Sequence, residues 1–329
     1  MDQIIDNNGK IFPVSPGAKI WGADLRGRNL EGAQLSEIHF GPIDKSTGWD
    51  MPSDYYEEQG WPGIKTDLTG ANFSGANLVN CNLNAAEIDG CNFSNANLTK
   101  SILMSIENAL FRDTELSDVI FEGFYDDCNF KGAVLNGAHL TFDSIFSNCN
   151  FREADVSVSC CDAVTFLDCD FTQASCSEFH NGVVTNCNFD RSNLESLFAT
   201  NAEFTNCSFI NSSFIDAILC TATFSESRFV ACNFADTILD LEDADWDLYP
   251  ELESLGMWLD DDEDILQLRT GFYNCTVVDI DFSMCNLKKV TFKECAFENI
   301  KFTGAQLDGT EFIDCTFTNC EVPEDLKPK

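Results

Sequence analysis

A beat of five residues constrains this chain more than any other feature. Apolar residues recur at Leu25, Leu30, Leu35 and Phe40, then at Leu68, Phe73, Leu78, Leu83, Ile88, Phe93, Leu98 and Leu103. After a few slips the spacing returns from Phe204 to Leu239 and again from Phe272 to Val322. About 49 such positions mark an internal repeat. Two residues before each stands a small one, as in Ala71-Asn72-Phe73, Cys128-Asn129-Phe130 and Ala305-Gln306-Leu307. A helix would need apolar spacings of three and four, and a strand a continuous alternation, so neither regular period fits. Residues two apart in extended backbone face the same way, so the small residue and the Leu or Phe point inward together. The other residues must turn a corner.

A corner at every fifth residue closes four sides after about 20 residues. Cysteines repeat at that longer period: Cys128, Cys149, Cys169, Cys187 and Cys207 are 21, 20, 18 and 20 residues apart, and Cys275, Cys295 and Cys315 are 20 apart. One side therefore carries a Cys-x-Phe ladder, with Val277 replacing Phe after Cys275. The chain has 17 cysteines and no Cys-x-x-Cys pair, and 13 occupy the small inward position. There a reduced thiol acts as a compact hydrophobe, so the cysteines are read as core filler. Cys160, Cys161 and Cys220 fall off the pattern and are expected to be partly exposed.

The segments Ala23-Asp24-Leu25-Arg26-Gly27, Ala71-Asn72-Phe73-Ser74-Gly75 and Ala133-Val134-Leu135-Asn136-Gly137 resemble the pentapeptide-repeat family, over most of residues 21–240 and 270–322. The resemblance implies an all-β fold, a right-handed quadrilateral parallel β-helix. Residues 1–20 do not scan as repeats and are expected to cap the first coil, as terminal units of solenoids must. The β-helix is expected over 21–322, followed by a tail over 323–329.

The beat breaks twice. Residues 41–65 hold Pro42, Pro52 and Pro62 with Trp49, Tyr55, Tyr56 and Trp61, which reads as a long loop leaving one corner. Its aromatics either fold back on the solenoid or offer a partner-binding surface, since Trp and Tyr are favoured hot-spot residues. Residues 241–269 carry 11 acids against Arg269 alone. Leu248, Leu252, Leu255 and Leu259 fall at helical spacing, which predicts a short amphipathic helix leaning on the solenoid. The run Asp260, Asp261, Asp262, Glu263 and Asp264 faces water in this reading and is a second partner-binding candidate. It begins like a calcium loop but fails it, with Ile265 where Gly is needed and Gly271 where the bidentate Glu is needed.

Inward Leu and Phe stacked at the coil spacing fill the interior and remove the usual place for a pocket. His39, His139 and His180 are the three histidines, each read as exposed on the outside, and no nucleophile elbow, zinc-protease run or phosphate loop is present. The chain is therefore read as non-enzymatic, with no cofactor and no metal. Against 19 Lys+Arg stand 55 Asp+Glu, a formal charge of -36. That excludes direct binding of nucleic acid or an anionic membrane, and any charged partner should be basic. No apolar run reaches the roughly 18 residues of a membrane span, and the N-terminus lacks signal-peptide features, so a cytoplasmic protein is expected.

Two functions follow from these properties. One is a protein-protein interaction scaffold that uses the aromatic segment 41–65 and carries charge for solubility. The other is a DNA mimic. About 12 coils would make a rod of about 58 Å, over which duplex DNA bears about 34 charges. Without the two insertions the rod keeps about 23 negative charges, within a factor of two of DNA. Resemblance adds that some pentapeptide-repeat proteins, conferring quinolone resistance or self-protection against gyrase-targeting antibiotics, look like DNA and bind type II topoisomerases such as gyrase or topoisomerase IV. Those proteins are typically shorter, with shorter loops, and pair through a C-terminal helix that this chain is not expected to form. The oligomeric state is left open.

Overall fold

The computed structural model describes residues 3–41, 65–84, 86–140, 144–157, 159, 161, 163–239 and 269–321. Trp49, Tyr55, Tyr56, Trp61 and Asp260 to Asp264 lie outside them, as does the helix expected within 241–269. Among the described residues all regular structure is β, and no helix is long and apolar enough to cross a membrane.

The chain forms two compact units, Met1–Ser175 and Cys176–Lys329. Each is a stretch of four-sided parallel β-helix. In the first, Lys19, His39, Asn82, Ile102, Ile120 and His139 stand above one another on successive coils. In the second, strands Val183–Thr185, Glu203–Thr205, Thr223–Ser225, Gly271–Tyr273, Thr291–Lys293 and Glu311–Ile313 pair in parallel and in register. A second side pairs Ser208–Ile210, Arg228–Val230, Thr276–Val278, Ala296–Glu298 and Thr316–Thr318 in the same manner. An antiparallel hairpin of Gln3–Ile5 and Ile11–Pro13 precedes the first coil and buries Ile4 and Phe12.

Each place in the five-residue unit has its own physical task. The central Leu or Phe points inward and rests on its counterpart one coil away. Phe73, Phe93, Phe111, Phe130, Phe151 and Phe171 form one stack in the first unit, with ring centroids 4.8 to 5.2 Å apart. In the second unit Phe204, Phe224, Phe272, Phe292 and Phe312 stack at 4.9 to 5.1 Å. That column crosses the second insertion without a gap. Spacings of this size are those of parallel coils one strand apart.

Two places later the backbone turns left-handed. Gly75 has φ of 65°, and the same turn is made by Asn95 at 59° and Asp118 at 56°. These types recur because Gly has no Cβ to clash there, and Asn and Asp tolerate the region best among the rest. The N–H of the next small residue closes the turn, as Ala71 does to the Leu68 carbonyl at 2.8 Å.

The place before the central residue favours Asn or Asp for a local reason. Its side-chain oxygen accepts the N–H two residues on: Asn72 from Ser74 at 3.1 Å, Asp67 from Thr69 at 3.0 Å, Asn188 from Asp190 at 2.9 Å. This Asx turn pins the start of each corner. The small inward residue also has a polar use. Ser101 Oγ donates to the Leu78 carbonyl one coil back at 2.7 Å, Thr114 Oγ1 to Phe93 at 2.8 Å and Ser212 Oγ to Phe189 at 2.7 Å. Cysteines do the same: Cys91 Sγ donates to Leu68, Cys169 Sγ to Phe146 and Cys295 Sγ to Phe272, at 3.1 to 3.3 Å. The thiols are thus weak donors to corner carbonyls as well as core filler, which the spacing alone did not reveal.

Candidate interaction surface

With the inward positions filled by packed rings and aliphatics, candidate functional groups are the outward ones. On one side of the first unit the centre of each coil is Leu25, Leu68, Ile88, Ile106 and Tyr125. The residue before it is Asp24, Asp67 and Glu87 on three successive coils, bridged in register. The residue after it is Asp89, Glu107 and Asp126 on the next run of coils. Six carboxylates therefore occupy one wall at about 4.8 Å per rung, a spacing at which like charges repel.

One cation enters this wall. Arg26 lies 2.7 Å from Asp24 and 3.4 Å from Asp67. Its guanidinium hydrogen bond holds the Asp24 carboxyl well below the usual carboxylate range. Among the described residues no lysine or arginine stands within ion-pair distance of Glu87, Asp89, Glu107 or Asp126. Past these acids the wall ends in an apolar group. Phe124 is 63% exposed and sits in register with Ile145 on the next coil. Nothing in the sequence analysis singled out Phe124. Its signal was the slip between Phe121 and Tyr125, four residues apart where five is the rule, which puts Phe124 in the outward place before Tyr125 rather than in the inward place two before a centre.

The adjoining side of the same unit carries a column of basic residues. Arg112, Lys131 and Arg152 stack on consecutive coils, their carbonyls each accepting an N–H from the coil before. Lys131 pairs with Glu153 at 3.1 Å and Arg152 with Asp170 at 3.1 Å. Acids on this side are thus matched by basic neighbours, unlike Glu87, Asp89, Glu107 and Asp126.

Two expectations about outward residues need correction. His139 is exposed, but His180 is 1% exposed and its ring stacks on Phe198 at 5.2 Å. Cys161 and Cys220 are both fully buried. Cys161 takes the place of a central Leu or Phe, whereas Cys220 holds an outward position next to Leu219. Cys160 lies outside the described residues.

Among solved structures the chain is similar to HetL, a pentapeptide repeat protein involved in heterocyst differentiation regulation from the cyanobacterium Nostoc sp. strain PCC 7120. They share 14% identity over 88% of each chain, with a TM-score of 0.31. It is also similar to QnrB1, a plasmid-mediated fluoroquinolone resistance protein, with 15% identity over 66% of this chain and 90% of that one and a TM-score of 0.29. The pentapeptide repeat protein Rfr23 from the cyanobacterium Cyanothece 51142 is 26% identical over 44% of this chain and 84% of its own, with a TM-score of 0.23. A comparison with curated proteins gives no match. The family model for pentapeptide repeats matches in eight copies, over residues 66–103, 187–226 and 280–320. Those copies fall on the same five-residue units whose corners, Asx turns and stacked rings are described above, so over those residues the chain carries pentapeptide repeats.

Proposed function

We propose that this protein is a non-catalytic binding module whose acidic wall docks on a basic protein surface. The observation that carries this reading is the set of carboxylates Glu87, Asp89, Glu107 and Asp126, which have no ion-pair partner among the described residues, beside the exposed Phe124. Stacked like charges cost stability in the free protein, and a cationic partner relieves that cost on binding. An exposed aromatic beside them supplies the apolar anchor that charge alone lacks.

Within this reading, the partner class best matched to a regular array of negative charge is a DNA-binding protein, with a type II topoisomerase as the first to test. The basic column Arg112, Lys131 and Arg152 interrupts the acidic surface on the adjoining side. Gyrase supercoiling, measured with and without a quinolone, should respond to the protein and not to a variant carrying Glu87→Lys, Asp89→Lys and Glu107→Lys. Absence of both inhibition and protection removes the topoisomerase as partner. The broader reading is tested by pull-down from a bacterial lysate: capture through the wall should fall steeply between about 50 and 200 mM salt. Salt-resistant capture that the charge-reversed variant retains would instead favour the aromatic segment with Trp49, Tyr55, Tyr56 and Trp61.

A further inference from the structure

We infer that the wall carrying Phe124 receives an amphipathic α-helix of the partner, laid along the axis of the first unit with basic residues over the acids and apolar residues over Phe124, Ile145 and Leu167. The inference rests on the binding reading above and adds the shape of the occupant. Two outward residues flank each inward centre along this wall: Glu87 and Asp89 about Ile88, Ser105 and Glu107 about Ile106, Phe124 and Asp126 about Tyr125, Ile145 and Ser147 about Phe146, Thr165 and Leu167 about Phe166. The Gly90 N–H joins the first of these rungs to the Glu107 carbonyl at 2.8 Å. From there the register runs from Glu107 through Asp126 and Ser147 to Leu167, and from Phe124 through Ile145 to Thr165.

The wall changes character along the axis, from acids to an apolar surface of exposed Phe124 with half-buried Ile145 and Leu167. The Phe124 ring stands on a fixed backbone. Gly123 turns left-handed with φ of 85°, and the Phe124 N–H donates to Ser105 Oγ at 3.2 Å. Beneath it the buried Tyr125 hydroxyl accepts the Glu122 N–H at 3.0 Å and donates to the Leu103 carbonyl at 2.9 Å. An aromatic anchor held in this way loses little freedom on binding.

Charge selects the sign of the occupant. Asp89 Oδ1 accepts the Glu107 N–H and Asp126 Oδ1 the Asn148 amide, both at 2.9 Å, which leaves the two negative charges uncompensated. Spacing selects its shape. Rungs one strand apart put Asp89, Glu107 and Asp126 at about 0, 5 and 10 Å along the axis. Residues i, i+4 and i+7 on one face of a helix stand at about 0, 6 and 10.5 Å, so three basic side chains meet the three acids. Same-face residues of an extended peptide stand at about 0, 7 and 13 Å and are most of a rung out of step by the third. On that helix, i+8 and i+11 follow at about 12 and 16 Å, against Phe124 and Ile145 and toward Leu167. Strand addition is not open to the partner here, because Ile120–Asp126 is already paired on both edges.

Two fluorescein-labelled alanine-based peptides of identical composition and about 16 residues make the test. One carries Lys at i, i+4 and i+7 with Leu at i+8 and i+11; the other carries Lys at i, i+2 and i+4 with Leu at i+6 and i+8. Titrated with the full-length protein at about 50 mM salt and followed by anisotropy, the first should bind at least about ten-fold more tightly than the second and gain helical circular dichroism. Phe124→Ala, a change at an exposed side chain, should weaken the first peptide by about ten-fold and leave the second unchanged. Equal affinity for the two peptides, each lost in the variant carrying Glu87→Lys, Asp89→Lys and Glu107→Lys, would overturn the helix while keeping the acidic wall as a docking surface. Unchanged affinity of the first peptide in Phe124→Ala would overturn it too. Binding of neither peptide, or binding that the charge-reversed variant retains, would overturn both the helix and the wall.

Discussion

Thr66 and Thr270 close the two re-entry points of the chain with the same three hydrogen-bonding contacts. Thr66 Oγ1 lies 2.6 Å from the Ile20 carbonyl and 2.7 Å from that of Phe40, and accepts the Gly22 N–H at 3.2 Å. Thr270 Oγ1 lies 2.9 Å from the Leu219 carbonyl and 2.6 Å from that of Leu239, and accepts the Thr221 N–H at 3.1 Å. Each hydroxyl joins the last corner before an insertion to the first residue after it and to the coil below. The solenoid therefore resumes in register whatever the excursion contains.

Removing that hydroxyl while keeping the volume isolates the effect. Thr270→Val and Thr66→Val should each destabilise by about 1–3 kcal/mol, because a buried N–H and two carbonyls lose their shared partner. Thr270→Ser should recover most of the loss. Urea unfolding midpoints of the three variants make the comparison, and a Val variant as stable as the parent would show that the clasp contributes nothing.

The left-handed corner predicts opposite outcomes for opposite substitutions. Ala231 is exposed with φ of 51°, so Ala231→Gly should stabilise by up to about 1 kcal/mol. Gly75 has φ of 65° and open space where a Cβ would go, so Gly75→Ala should cost about 1 kcal/mol through backbone strain alone. Thr221, β-branched at φ of 61°, is the most strained of these corners. Thermal melts of the three Gly-series variants, with Thr221→Gly as the third, should rank Thr221→Gly at or above Ala231→Gly.

Burial pushes the Cys81, Cys91 and Cys232 thiols up to about 12 from an ordinary 9.0. In the unfolded chain these thiols ionise first, so their contribution is complete below pH 9 and is lost as pH rises toward 12. Stability should fall there by up to about 1.4 kcal/mol per pH unit for each thiol. Cys232→Ser keeps a donor for the Phe209 carbonyl, which the thiol reaches at 2.7 Å, and removes one titrating group. Its alkaline slope, read from denaturant midpoints between pH 8 and pH 11, should be shallower than that of the parent, and an equal slope would contradict the assignment.

Repulsion within the acidic wall gives a salt-dependent signature. Glu87→Gln and Glu107→Gln should each stabilise by a few tenths of a kcal/mol at low ionic strength, with the gain fading by about 1 M salt. Arg26→Gln should act in the opposite direction, since it leaves Asp24 and Asp67 unpaired on adjacent rungs. Melts across a salt series distinguish the two signs.

Periodicity alone was enough to specify the coil. A five-residue beat with a small residue two places earlier admits one way to bury both, and the recurrence of Cys128, Cys149 and Cys169 marks its four sides. Only the three-dimensional arrangement decided which outward residues became neighbours. Asp24 lies over Asp67 although 43 positions separate them, because the intervening insertion is bypassed at Thr66 and inter-coil hydrogen bonds reset the register. The shortened step from Phe121 to Tyr125 likewise turned Phe124 outward. A repeat fixes the direction of each side chain within its own coil, but stacking depends on where slips and excursions let one coil bond to the next.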